Sequence, residues 1–226
     1  MFSFTSRCGS EMLRALLDDG AVDRPIGGAT LLYGRRKGGA AAEATPPVAT
    51  APPADVVGKG VGIVDQTAVE IARALLLINT GEEHLDAAHD IVLSADHGVA
   101  ADVDGFYVHA LIHRWEGDHL GDPPFNMQGY ANSGYWLGRA SAACKGQHPV
   151  WAQLGKDPAV THELAAHPEY TAYGFDPDAF TKACEVAFEA GDPRSALAVT
   201  LRKVQRLETE HLAAHLLARA TGGGDT

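Results

Sequence analysis

The chain has 226 residues and a formal net charge of −11, which already excludes some classes of function. A chain of this length can bury a sizeable hydrophobic core in one or two domains. The negative charge disfavours nonspecific binding to nucleic acid, which requires neutralisation of phosphates. The longest apolar run, 74–78, is far too short to span a membrane. We therefore expect a soluble protein that binds neither nucleic acid nor a membrane.

Cysteine usage and the N-terminal sequence predict a cytoplasmic protein. Cys8, Cys144 and Cys184 are far apart and form no CxxC pair, so neither a disulfide framework nor a zinc knuckle is indicated. The first residues lack the continuous apolar stretch of a secretory signal. An organellar transit peptide stays open as an alternative.

Composition divides the chain into four parts. Residues 1–37 form an N-terminal segment in which 10–19 has the pattern of a short amphipathic helix. Residues 38–60 are rich in glycine, alanine and proline, which is typical of a linker. We expect the folded domain over 61–220 and a disordered tail over 221–226.

Helix-capping signals dominate the region after the linker. Two capping boxes predict two helices: Thr67 with Glu70 for 67–79, and Thr80 with Glu83 for 82–96. Three Asp-Pro pairs, each an N-cap residue followed by proline at the first helical position, predict three more: near 158–167, 177–190 and 193–219. Segments 104–116 and 133–143 also have a helical pattern. The predicted class is all-α, either a compact multi-helix bundle or an orthogonal helical array.

The helix predicted at 104–116 carries the most suggestive pattern in the chain. His109, His113 and Glu116 are spaced i, i+4 and i+7, so they share one stripe beside the apolar face. Two imidazoles and a carboxylate on one stripe can form half of a metal site. Ala110 stands where the HExxH zinc-protease motif needs its glutamate, so that class is excluded. A purely structural, hydrogen-bonded role for the pair stays open.

Three further histidines are candidate metal ligands because they fall on inward faces of predicted helices. His89 lies on the inward side of 82–96, and His211 and His215 continue the apolar stripe of the C-terminal helix. Polar groups at core positions cost stability unless they are paired or coordinated. Glu208 and His211 have the Glu-x-x-His spacing that carboxylate-bridged di-iron bundles use. Alternatively, His211 and His215 are solvated.

A larger motif is spread over the second half of the chain. It consists of His109-x-x-x-His113-Arg114-x-Glu116-Gly117-Asp118, then Asn132, Tyr135-Trp136 and Arg139, and finally His148-Pro149-Val150. It resembles a family of uncharacterised helical proteins whose typical string is close to WHxxxHRREGDxxNAxYWFRRxGxHPV. The resemblance covers about 82–220. This chain departs from the string at Trp115, which replaces an arginine, and by insertions around 119–131 and 142–147. Since that family has no established activity, the resemblance implies a site without a reaction.

The matched residues outside the histidine pair are candidate ligand-binding residues: Arg114, Asn132, Tyr135, Trp136, Arg139 and His148. Arg114 and Arg139 could pair with a carboxylate or phosphate group. Each residue also has a structural interpretation: Asn132 as the N-cap of the following helix, the two aromatics as core or cavity wall, and His148 as a cap.

Two functions are consistent with these patterns. The first is a polar small-molecule or metal site, possibly of an enzyme, with a divalent ion such as Zn or Fe on the histidines and Glu116 or Asp118 as ligand or general base. The second is an interaction scaffold without catalysis, because 107–142 has the pattern of a helical hairpin that binds a protein partner. The sequence favours the first.

Overall fold

Helices make up the secondary structure of the part of the chain that the computed structural model describes, which comprises 51–58, 60–80, 84–117, 129–167, 174–192 and 194–223. No strand occurs in these ranges, so the all-α prediction is confirmed. The helix expected at 10–19 and the linker up to residue 50 lie outside them.

Nine α-helices follow one another in these ranges, and two 3₁₀ turns connect some of them. They are α1 (Pro53–Val57), α2 (Gln66–Thr80), α3 (Leu85–Leu93), α4 (Val103–Glu116), α5 (Gly129–Cys144), α6 (Pro149–Leu154), α7 (Pro158–Glu163), α8 (Pro177–Glu189) and α9 (Ala196–Thr221), with 3₁₀ turns at Asp96–Ala101 and Leu164–Ala166. Helix α1 falls inside the predicted linker. Its Val56 and Val57 are buried, and the Arg73 guanidinium donates to the Ala51 carbonyl oxygen at 2.7 Å. The packed region therefore begins before residue 61.

Two of the predicted caps begin helices as expected. The Asp157 carboxylate accepts the Ala159 amide hydrogen at 2.7 Å. The Asp176 carboxylate accepts the amide hydrogens of Asp178 and Ala179 at 3.0 and 3.1 Å. In both helices proline occupies the first helical position, where it costs no hydrogen bond.

Two other predicted starts are wrong. Helix α2 is capped by Asp65, which accepts the Ala68 amide hydrogen at 3.0 Å, while the Thr67 hydroxyl donates to the carbonyl oxygen of His97. Helix α9 is capped by Ser195 and not by Asp192, whose carboxylate accepts from Arg194 in the preceding turn. The capping side chain is in each case the one whose oxygen reaches the third amide of the helix.

Helix α4 lies in the interior. Every residue from Asp104 to Trp115 is buried, so the helix has no solvent-facing side over that length. The sequence placed the histidine stripe at the core boundary, whereas the structure buries both histidines and leaves Glu116 partly exposed. Helix α5 packs antiparallel against α4: Asn132 contacts His113, Trp136 stacks on His109, and Arg139 lies over Phe106. The two helices form the predicted hairpin, and its connection, 118–128, lies outside the described ranges.

A buried ion pair fixes α4 to the C-terminal helix. The Arg114 guanidinium donates to the Glu208 carboxylate at 2.5 Å, and both side chains are almost fully inaccessible to solvent. The Tyr107 hydroxyl donates to the same carboxylate at 2.6 Å, and Arg114 Nε donates to the Thr181 hydroxyl at 3.0 Å. Helices α4, α8 and α9 thus meet at one hydrogen-bonded polar centre, which explains a glutamate on the apolar stripe of α9.

A glycine sets the close approach of α5 to the end of α4. A Cβ atom added at Gly129 would lie 2.1 Å from the Gly117 carbonyl oxygen and 2.5 Å from that of His113. Gly138, on the same helix, has no atom within 4 Å of the equivalent position.

We therefore expect Gly129→Ala to lower the free energy of unfolding by about 1–3 kcal/mol through overpacking. The matched control Gly138→Ala should be neutral or stabilising by up to about 1 kcal/mol, since alanine loses less backbone entropy in a helix. Urea unfolding followed by circular dichroism measures both. Equal effects of the two substitutions would contradict the close approach.

Candidate metal centre

Three histidine side chains come together between α3 and α4. His89 lies on α3, and His109 and His113 lie one turn apart on α4. Each offers one ring nitrogen, and these nitrogens lie within 4.8 Å of one another. His109 is 2% exposed and His113 6%, while His89 is half-buried. The geometry is that of a group able to hold a metal ion, and it contains the HxxxH pair and the inward His89 that the sequence singled out.

The distance between the ring nitrogens of His89 and His109 is close to that of a metal site. The Nε2 atoms of His89 and His109 are 2.8 Å apart, within hydrogen-bond distance. Two imidazole ligands on a tetrahedral ion, with bonds of about 2.0–2.1 Å, have nitrogens about 3.3 Å apart. A separation of the two rings by about half an ångström would therefore admit an ion.

Glu116 fixes the orientation of the third imidazole. Nδ1 of His113 donates to the Glu116 carboxylate at 2.5 Å, so the lone pair of the neutral ring is on Nε2. This Nε2 accepts from the Asn132 side-chain amide at 2.9 Å. A carboxylate that holds the outer nitrogen of a ligating histidine is a common feature of metal sites. Glu116, which the sequence suggested as a ligand or general base, contacts His113 in this orienting position.

The electrostatic environment disfavours the charged form of His89 and His109. Burial, reinforced by the neighbouring His113 and His89, lowers the pKa of His109 to about 2. Burial and His113 also lower the pKa of His89 below its ordinary value. At neutral pH both rings are therefore uncharged, and each keeps one N–H and one lone pair. In their mutual hydrogen bond one of the two Nε2 atoms is the donor, so that ring has to move its hydrogen to Nδ1 before both Nε2 atoms can ligate an ion.

Aromatic and cationic side chains from α5 form one wall of the cluster. The Trp136 ring stacks on the His109 ring, with centroids 3.8 Å apart. The exposed Arg139 guanidinium lies over the Phe106 and Trp136 rings at 4.7 and 5.3 Å. Tyr135 is half-exposed and points away from the core, with its hydroxyl 3.4 Å from Arg139. Trp136 thus forms part of the wall of the histidine cluster, and the Arg139 guanidinium makes cation–π contacts with the Phe106 and Trp136 rings.

Asn132 does not lie at the N-cap of α5, the position that its structural interpretation predicted. Helix α5 begins three residues earlier, at Gly129, so Asn132 lies in its first turn and its amide is directed at His113. The N-cap interpretation is wrong because the α4–α5 packing extends the helix toward the end of α4. The Asn132 side chain instead makes a hydrogen bond from α5 to the histidine cluster.

Other predicted site residues lie elsewhere. The Arg114 guanidinium is paired with the buried Glu208 carboxylate, so it contacts the core and does not face a ligand site. His211 contacts Asp157 at 2.7 Å, and His215 contacts Asp104 at 3.1 Å, so neither joins the three histidines. The di-iron spacing is not used, because Glu208 belongs to the Arg114 pair. Asp118 lies outside the described ranges.

A second polar cluster surrounds Asp104 at the start of α4. His148 donates to one oxygen of the Asp104 carboxylate at 2.8 Å, and the other oxygen accepts from His215 and Arg219. His148 Nδ1 also accepts the Val150 amide hydrogen, so this histidine caps α6. Although burial alone would raise it, the pKa of Asp104 is held well below its ordinary value by the His148 and His215 hydrogen bonds. The sequence pattern did not single out Asp104, because acidic residues are common in the first turn of any helix.

Comparisons with protein-family models, with curated proteins and with solved structures found no match. The resemblance of the histidine motif to an uncharacterised helical family therefore stays a prediction. Among the described residues, no helix is both long and apolar enough to cross a membrane.

Proposed function

We propose that the protein binds one divalent transition-metal ion, zinc or iron, through the Nε2 atoms of His89, His109 and His113. Imidazole nitrogen is a good donor for both ions. The single observation that carries the proposal is the approach of three ring nitrogens to within 4.8 Å in a largely buried position.

The orientation of the rings suits coordination as well as their present hydrogen bonds. The Nε2 atoms of His89 and His109 face each other at 2.8 Å and Nε2 of His113 accepts from Asn132, so an ion would replace these two hydrogen bonds. Glu116 binds Nδ1 of His113 and leaves Nε2 of that ring as the ligating atom. Once bound, such an ion acts as a Lewis acid and lowers the pKa of a bound water, which is the basis for a polar small-molecule site.

Metal titration of tag-free protein tests the proposal. We expect isothermal titration calorimetry with Zn²⁺ to give one site, and His109→Ala and His89→Ala each to weaken it by about 100-fold or more, since each removes a ligand. His162→Ala is the matched control, because His162 is exposed on α7. The Zn²⁺ affinity of this variant should equal that of the wild type. Circular dichroism verifies that each variant is folded.

Stability supplies an independent readout of the same site. At a free Zn²⁺ concentration 100 times the dissociation constant, binding should stabilise the wild type by about 2.7 kcal/mol and the His89 variant far less. Equal Zn²⁺ affinity in the wild type and the two cluster variants would contradict the proposal. So would a wild type that takes up no ion.

A further inference from the structure

The side chain of Asn132 borders the position that an ion on His113 would take. Its Nδ2 atom is 2.9 Å from Nε2 of His113 and donates to it. An ion on the same lone pair would be about 2 Å from the nitrogen, and thus only about 1 Å from the present Nδ2 position. The Asn132 side chain therefore has to rotate away from Nε2 when the ion binds, which breaks this hydrogen bond and frees the N–H group beside the ion's coordination sphere.

The described residues supply three ligands and leave a fourth position. Glu116 is the carboxylate that hydrogen-bonds to the cluster within these ranges, and it is taken up by Nδ1 of His113 at 2.5 Å. Zinc sites with three protein ligands keep the fourth position for water or substrate, whereas closed structural sites use four protein ligands. The amide oxygen of asparagine is a donor suited to calcium, magnesium and manganese rather than to an imidazole-bound ion.

Charge determines what fills the fourth position. Three imidazole ligands bring no negative charge to the ion, and the Glu116 carboxylate behind His113 offsets at most one of its two positive charges, in a place where His109 and His113 are buried. An uncompensated charge in such surroundings is costly, so an anionic ligand is favoured. The side-chain amide of Asn132 carries two N–H donors, and donors to an anion form the stronger, charge-assisted type of hydrogen bond.

We propose that the metal centre keeps one exchangeable position for a small anion, and that Asn132 positions this anion by hydrogen bonding. The inference rests on the proposed metal site. It assigns the centre to the open type, whose fourth ligand exchanges with hydroxide or with a small anionic substrate.

Azide binding to the Co²⁺-loaded protein is the test, with azide as the small anion. We expect azide to shift the visible absorption bands of the bound Co²⁺ in a saturable manner, with one azide per ion. Asn132→Ala should keep its Co²⁺ affinity within about threefold of the wild type and lose azide affinity by about tenfold or more, since it loses a hydrogen bond to a charged ligand. Gln147→Ala, which removes an exposed amide after the end of α5, should match the wild type in both measurements.

Each other outcome has a definite meaning. Co²⁺ binding without a spectral response to azide would show a closed site and overturn the inference, while the proposed metal site would stand. Unchanged azide affinity in Asn132→Ala would also overturn it. A loss of Co²⁺ affinity by more than tenfold in that variant would make Asn132 a ligand itself, contrary to the inference. A wild type that binds no Co²⁺ would remove the metal site and the inference together.

Discussion

Replacement of Glu208 by alanine is expected to lower the free energy of unfolding by about 3–5 kcal/mol. The substitution leaves the Arg114 guanidinium, which is 1% exposed, without its carboxylate in the core. It also removes the acceptor of the Tyr107 hydroxyl. Because a buried charge without a partner costs far more than a lost surface contact, the effect should be among the largest of any single substitution in this chain. Guanidinium unfolding at pH 7 measures it.

A neighbouring ion pair provides the control. Glu210 accepts from Arg206 one turn earlier on α9, and the Arg206 and Glu210 side chains are 40% and 18% exposed, in contrast to the inaccessible Arg114 and Glu208. Glu210→Ala should cost no more than about 0.5 kcal/mol. A double replacement, Arg114→Met with Glu208→Leu, should recover much of the loss, because it removes both charges together. An effect of Glu208→Ala below about 1 kcal/mol would show that the pair is not buried as described.

Asp104→Asn is expected to lower the free energy of unfolding by about 3 kcal/mol at pH 7, and by less in acid. The Asp104 carboxylate joins α4 to the start of α6 through His148 and to α9 through His215 and Arg219. Since its folded-state pKa is lowered, the carboxylate contributes stability that is fully present above the unfolded-state pKa, about 4. That contribution is lost progressively as the pH falls from about 4 toward the lower, folded-state value.

Unfolding curves for the wild type and Asp104→Asn between pH 3 and 7 provide the measurement. The difference between them should be constant from pH 7 to about 5 and shrink below about 4. Asp96→Asn, at an exposed site before α4, is the control and should differ from the wild type by no more than about 0.5 kcal/mol. A difference between wild type and Asp104→Asn that grows with acidity would contradict the described network.

The two buried clusters also explain how the histidines are held in place. Asp104 anchors the N-terminal end of α4, and Arg114 anchors the C-terminal end, with His109 and His113 between them. A binding site needs its first contacts fixed by surrounding hydrogen bonds and packing. Burial of α4 on all sides, with polar anchors at both ends, supplies that rigidity and fixes which nitrogens face His89.

Local sequence was sufficient to predict most helices and three of the histidines that meet between α3 and α4. The Asp157 and Asp176 caps act within one turn, so their signals need no knowledge of the rest of the fold. The pairing of His109 with His113 follows from helical spacing alone. His89 was identified because a histidine on an inward helical face requires a partner.

Long-range packing determined what the sequence could not show. The Tyr107–Glu208 and Asp104–His215 hydrogen bonds join residues separated by 101 and 111 positions, and no local pattern connects them. The role of Asn132 depends on the register of α5 against α4, which the close contact at Gly129 sets. His211 and His215 lie on a stripe that could have carried metal ligands. Each instead contacts an acidic residue from another element, Asp157 and Asp104 respectively.

X-ray absorption at the metal edge of the Zn²⁺-loaded protein tests the central claim most directly. We expect three imidazole nitrogens at about 2.0–2.1 Å and one additional light-atom ligand. The imidazole number should fall from three to two in His89→Ala, if that variant is loaded at high Zn²⁺ concentration, and stay at three in His162→Ala. A wild-type spectrum with fewer than three imidazoles, or one that His89→Ala leaves unchanged, would contradict a metal centre built from His89, His109 and His113.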